Sequence, residues 1–160
     1  MLSELEEALL ALIGVRVRGW HSPTDLTPII QVAAAAGYSA EDVQLAIDML
    51  EKRGYLEVKI NCLLFVTSNG YYAYADTNMP DFADLIQRVE REICAHNRTN
   101  NHDVALNLRT DQVAVDYIFS MMIQNGAIEN STRLSAPGPV WHILKLSPEF
   151  RFRCRDIQQS

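Results

Sequence analysis

The sequence predicts a mainly α-helical chain with small two-stranded β elements, an α+β protein made of two copies of one unit. Three observations predict it. Across residues 37–70 a glycine turn, a capped helix, a glycine stop, two short strands and a new helix start follow one another. The same order of signals returns across residues 107–150. Setting Gly54 on Gly126 lays Val43 on Val115, Ile47 on Phe119, Leu50 on Met122 and Leu56-Glu57 on Ile128-Glu129, a constant offset of 72 residues. Core spacing and helix stops that repeat together divide the chain into residues 1–78 and 79–160, both within the size range of small domains.

Each element has its own signal. Ser3 and Glu6 are spaced as a capping box, and Leu5, Leu9, Leu12 and Ile13 form an apolar stripe that Gly14 ends. Val15-Arg16-Val17-Arg18 alternates with period two and reads as a short edge strand. The second helix is expected to start at Thr27-Pro28, not Ser22-Pro23, because the later start leaves no proline inside it. Gly37 stops it, and Ser39 caps a third helix with Asp42 at the third position. Helix, short turn and helix, with alanines at 33–36 where they cross, is the helix-turn-helix pattern. Val43, Ala46, Ile47 and Leu50 share one face of the third helix; residues 55–59 and 63–66 then read as strands around a turn near Asn61.

A two-stranded wing after a helix-turn-helix resembles the winged-helix family. The exit Phe65-Val66-Thr67-Ser68-Asn69-Gly70 also resembles the strand-then-capped-helix exit common in its regulators. The likeness runs from Ser3 to about Asp76, and no motif singles out a subfamily. After a polar break at residues 77–80, Asp81 opens a helix with Phe82, Leu85, Ile86, Val89 and Ile93 on its apolar face. A short helix at 102–106 follows, with Asn107 in the place of the turn glycine and Thr110 as the next cap. The second wing spans 128–146, with Ala136-Pro137-Gly138-Pro139 at its tip and a cap plus first-turn proline at its exit. The expected architecture is therefore two winged helix-turn-helix domains in tandem.

Composition narrows the function. The net charge is −6, with −5 in residues 1–80 and −1 in residues 81–160. An acidic chain has no bulk attraction for phosphate, so any nucleic-acid contact must be a local patch in the second half. No apolar run is long enough to span a bilayer, and residues 1–4 show no basic stretch leading an apolar one. Cys62, Cys94 and Cys154 are odd in number and widely spaced, which fits three reduced thiols in a cytoplasmic protein. No glycine-rich phosphate loop, nucleophile elbow or HExxH motif is present. No enzymatic activity, cofactor or metal is expected. Cys94, His96 and His102 are the only local soft ligands, and Cys94 and His96 face different directions on a helix.

In a DNA-binding winged helix the third helix enters the major groove. In the first half its outward set is Glu41, Gln44, Leu45, Asp48 and Lys52, with Glu51 adjoining, an acidic face that repels phosphate. Leu45 with Met49, and their counterparts Tyr117 with Met121, are expected as exposed apolar positions that pack on the sister domain, a second copy or a protein partner. The second half offers the DNA candidates: Arg109 and Thr110 before the third helix, Gln112 in its first turn, Arg133 on the wing and Lys145 after it. Arg and Gln suit guanine and adenine edges, and a wing arginine suits phosphate. Arg151, Arg153 and Arg155 add charge, although their alternation with Phe150, Phe152 and Cys154 also fits a terminal strand. The expected function is a non-enzymatic regulatory or scaffolding protein, with double-stranded DNA touched by the second domain and protein contact or dimerisation by the first. The alternative is a protein–protein adaptor that binds no DNA.

Overall fold

Ser3 starts the first helix as its spacing requires. In the computed structural model, which describes residues 1–60, 62–134 and 139–159, the Glu6 amide donates to Ser3 Oγ at 3.2 Å. The Ser3 amide donates to Glu6 Oε2 at 2.6 Å. This box opens α1 (Glu4–Gly14). Glu6 is only 4% exposed, and its other oxygen accepts from Arg53 Nε at 3.1 Å. One carboxylate thus ties the start of α1 to the end of the third helix. The Ser3 backbone N–H holds the Glu6 carboxyl below its ordinary value of 4.5; burial opposes this, while the Ser3 hydroxyl and Arg53 reinforce it. A depressed carboxyl contributes stability above its unfolded pKa and loses it as pH falls through the folded value. Glu6→Gln is therefore expected to cost about 1 kcal/mol at neutral pH, the usual worth of a cap interaction. It should also flatten the acid limb of stability between pH ~5 and ~3, measured by urea denaturation across pH.

The chain splits into two compact units, Met1–Pro80 and Asp81–Ser160. In unit 1, α1 is followed by β1 (Thr24–Asp25), α2 (Thr27–Ala35), α3 (Ala40–Lys52), β2 (Leu56–Lys59), β3 (Leu63–Val66) and α4 (Ser68–Asn78). The strands form an antiparallel sheet in the order β1-β3-β2. Residues 15–18 are not the edge strand. After α1 the chain keeps winding, with Arg16 N on Ile13 O and Val17 N on Gly14 O, while Arg16 Nη1 donates to Leu12 O. The edge position is taken by Thr24 and Asp25, paired with Leu64 and Leu63. Ser39 caps α3 by accepting from the Asp42 amide at 3.1 Å. Val43, Ala46, Ile47 and Leu50 face inward together; α3 packs on α1, whose Leu9 and Ile13 are wholly buried. The expected turn at Asn61 lies outside the described residues.

Unit 2 holds α5 (Phe82–His96), α6 (Asn101–Leu108), α7 (Gln112–Gln124), β4 (Ile128–Leu134), β5 (Val140–Leu146) and α8 (Pro148–Gln159). The strands β4 and β5 pair antiparallel, with an irregularity around Asn130. An isolated bridge joins Asn100 to His142. The described residues thus form eight helices and two small antiparallel sheets, mostly helical. The helix α7 starts and ends 72 residues beyond α3, and Gly54 and Gly126 both stop their helices with positive φ, 75° and 80°.

The same offset corrects two expectations. The counterpart of Gly37 (φ 95°) is Arg109 (φ 51°), not Asn107, which lies inside α6. The counterpart of the Ser39 cap is Asp111, which accepts from the Val113 amide at 2.9 Å, so Thr110 is not the cap. Neighbouring Thr and Asp are both competent caps, and the register chooses Asp. Residues 136–138 of the expected wing tip lie outside the described residues.

The C-terminal segment is a helix, as the cap and first-turn proline at the exit of β5 imply, and the alternative of a terminal strand does not hold. Ser147 Oγ accepts from the Phe150 amide at 3.0 Å and Pro148 sits in the first turn. Phe150 and Cys154, four apart, are buried on one face, whereas Phe152 is 64% exposed, so the pattern follows the helical period. Cys154 is disulfide-bonded to Cys94 of α5, with Cα atoms 5.0 Å apart, a separation normal for such bridges. Three reduced thiols are therefore not what the chain contains; Cys62 alone is free, and it is exposed.

Candidate nucleic-acid interface

The turn between α6 and α7 creates the most functional-looking feature of unit 2. Arg109 occupies the left-handed region there, a conformation that costs a non-glycine residue about 1 kcal/mol. Its side chain is exposed and, among the described residues, makes no ion pair within 4 Å. Arg109, Thr110 and Gln112 come together with His102, Ala105 and Leu106 along an open cleft of about 470 Å³. The structure therefore joins three of the five DNA candidates. Arg133 on β4 and Lys145 on β5 are exposed but do not line that cleft.

Lys145 and Gln112 also have partners of their own. Lys145 Nζ lies 2.5 Å from Glu129 Oε2 on the paired strand, although an exposed pair of this kind is worth at most about 1 kcal/mol. Gln112 Nε2 donates to Asp116 Oδ1 at 2.6 Å, one helical turn on. Asp116 is 3% exposed and also accepts from Asn101 Nδ2 at 2.6 Å. Burial raises the Asp116 carboxyl; the amides of Gln112 and Asn101 and the charge of His102 oppose the rise, and Asp111 adds to it. Asn101 is wholly buried. Its Nδ2 also donates to Pro139 O at 2.8 Å, and its Oδ1 accepts from Trp141 N at 2.8 Å. One asparagine thus connects α6, α7 and β5. In the sequence Asp116 reads only as a carboxylate flanking the helix; its four-residue spacing from Gln112 was the available signal.

The exposure expected of these apolar positions is found in unit 1 alone. Leu45 is 62% exposed and Met49 half-buried, beside the Gln44–Asp48 hydrogen bond of 2.8 Å. Tyr117 is 1% exposed and Met121 half-buried, so the matching exposed position does not exist. The physical reason is coverage. Every residue from Ala114 to Phe119 is buried, which places neighbours around the whole helix, whereas α3 buries a single stripe. A single exposed leucine is ordinary for a protein surface.

In α8, Arg153 Nη2 lies 3.3 Å from Glu90 Oε1 and its guanidinium sits over the Phe150 ring at 5.0 Å. Arg151 and Arg155 are exposed on the same helix. Cys94 is held in the disulfide, so its sulfur is not available to join His96 and His102 around a metal. Among the described residues no helix is long and apolar enough to cross a membrane. No family model matches the chain, and no curated protein and no solved structure matches it.

Proposed function

We propose that the chain is a non-enzymatic tandem winged-helix protein of regulatory or scaffolding type, whose second unit contacts double-stranded DNA through the α6–α7 turn and the β4–β5 wing. The repeated order supports the architecture: helix, strand, helix, helix and two strands in unit 1, with the Asn100–His142 bridge standing in unit 2 where β1 pairs with β3 in unit 1. The observation that carries the DNA contact is Arg109. An exposed arginine, in no ion pair among the described residues, stands where the equivalent turn uses glycine, so the sequence accepts backbone strain at the position that a groove-entering helix presents to DNA. Arg133 on the wing supplies a second cation for phosphate.

The test is duplex binding against salt. Wild-type protein should bind a mixed-sequence duplex at low salt, with affinity falling as salt rises. Arg109→Gly removes the guanidinium and relaxes the left-handed residue. It should weaken binding roughly tenfold and lower the salt slope by about one, with unit 2 no less stable. Arg133→Ala should act in the same direction. Micromolar protein that binds no duplex at low salt ends this proposal.

A second reading, a protein–protein adaptor without DNA, draws support from the Lys145–Glu129 pair, which neutralises one of the five candidates. In either case the acidic outer face of α3 with Leu45 suits protein contact, and Leu45→Glu should abolish any self-association or partner capture while the fold is kept.

A further inference from the structure

The hydrogen bonds around Gln112 settle which way its amide faces. Asp116 Oδ1 is an acceptor whether the carboxyl is ionised or protonated on its other oxygen, and it receives both Gln112 Nε2 and Asn101 Nδ2 at 2.6 Å. Turning the Gln112 amide over would set two acceptors at that distance. The acceptor cannot retreat, because Asp116 is 3% exposed within α7. Asn101, 0% exposed, is held from the other side by Pro139 O and Trp141 N. Gln112 itself is half-buried and lines the cleft beside Arg109 and Thr110. Among the described residues, one of its two N–H groups is taken by Asp116, and the other, with the carbonyl Oε1, remains for a partner.

We infer that Asp116 and Asn101 are positioning residues that fix Gln112 as a donor–acceptor pair for the major-groove edge of adenine. The inference rests on the DNA contact proposed above. Adenine offers an acceptor at N7 and a donor at N6, which match one N–H and Oε1, whereas guanine offers acceptors at both N7 and O6. A fixed amide accepts the first pattern and meets the second with two acceptors face to face. A freely turning glutamine carries no such bias, and the ordering of its side chain would have to be met on binding.

The experiment uses the full chain and a pool of duplexes with a randomised central stretch, retained at low salt and sequenced. Wild type should retain duplexes with adenine preferred over guanine at one position by roughly tenfold or more. In a single duplex bearing that site, 7-deaza-adenine, which lacks the N7 acceptor, should weaken wild type by a similar factor. Gln112→Met should lose both effects with its fold intact, since the position is half-exposed. Asp116→Leu should lose the adenine preference while keeping its affinity for the bulk pool. Asp116→Asn, whose Oδ1 can still accept from both amides, should keep the preference. A wild type without adenine preference, or a preference that survives Gln112→Met or Asp116→Leu, overturns the inference while leaving DNA contact standing. If Asp116→Leu does not fold, Gln112→Met and the 7-deaza comparison decide: loss of the preference in both supports it, and no change in either overturns it. Failure of wild type to retain any duplex overturns the DNA contact, and this inference with it.

Discussion

Reduction of the Cys94–Cys154 bond is expected to lower the melting temperature of unit 2 by on the order of 20 °C and to leave unit 1 unchanged. The bond joins residues 60 apart in sequence. In the chain-entropy account, closing a loop of that length removes unfolded-state freedom worth about 4 kcal/mol at 25 °C. In a domain of this size, each kcal/mol moves the midpoint by about 4–8 °C. The bond is the covalent tie between α5 and α8, and weaker contacts stand beside it. Phe150 is buried at its start, but the Arg153–Glu90 pair has an arginine side chain 57% exposed and such pairs are weak. Gln158 Nε2 donates to Cys94 O at 2.6 Å, a contact that depends on the same two helices staying together. Calorimetry with and without a phosphine reductant measures the effect. Cys62 is exposed and free, so reduction breaks nothing in unit 1. An unchanged unit 2 transition shows that the bond does not carry the stability assigned to it.

Gly70→Ala is expected to destabilise unit 1 by about 3 kcal/mol. Gly70 lies in the first turn of α4, and a Cβ there would come 2.0 Å from Tyr55 O and 2.8 Å from Tyr55 C. These are backbone atoms and cannot swing aside as a side chain can. The contact is close because α4 is sewn onto the chain just before β2. The Thr67 amide donates to Tyr55 O at 3.1 Å, and Thr67 Oγ1 donates to Gly54 O at 2.6 Å. A methyl group forces these apart and loses hydrogen bonds as well as packing. Urea denaturation should show a lower midpoint for unit 1 and no change in unit 2. An alanine variant as stable as wild type would mean that α4 does not seat on Tyr55.

The sequence made the order of elements plain because caps, stops and apolar spacing are local. Ser3, Ser39 and the glycines at 54 and 126 act on residues within one or two turns of themselves, and the structure uses each as its spacing requires. Thr24–Asp25 as the edge strand was not legible, since two residues carry no period and their pairing with Leu64 and Leu63 is long-range. Tyr117 departs from its expected exposure for a related reason. Helical angles place it outside the stripe of Val115 and Phe119, but only tertiary neighbours decide whether a second face is also covered, and here they cover it. The disulfide was hidden in the same way, because Cys94 and Cys154 meet through the packing of α5 on α8. In the candidate site the cationic residues were evident by type. The hold on Gln112 was not, because Asn101 reaches Asp116 from another helix.

The most direct test of the central claim is an NMR titration of the 15N-labelled chain with a mixed-sequence duplex at low salt. Amide signals of Arg109, Thr110, Gln112 and Arg133 should shift progressively, while those of the acidic α3 face, Gln44, Leu45 and Asp48, should stay in place. Shifts confined to α3, or a folded protein whose unit 2 signals ignore the duplex altogether, would contradict a DNA contact built on the α6–α7 turn and the β4–β5 pair.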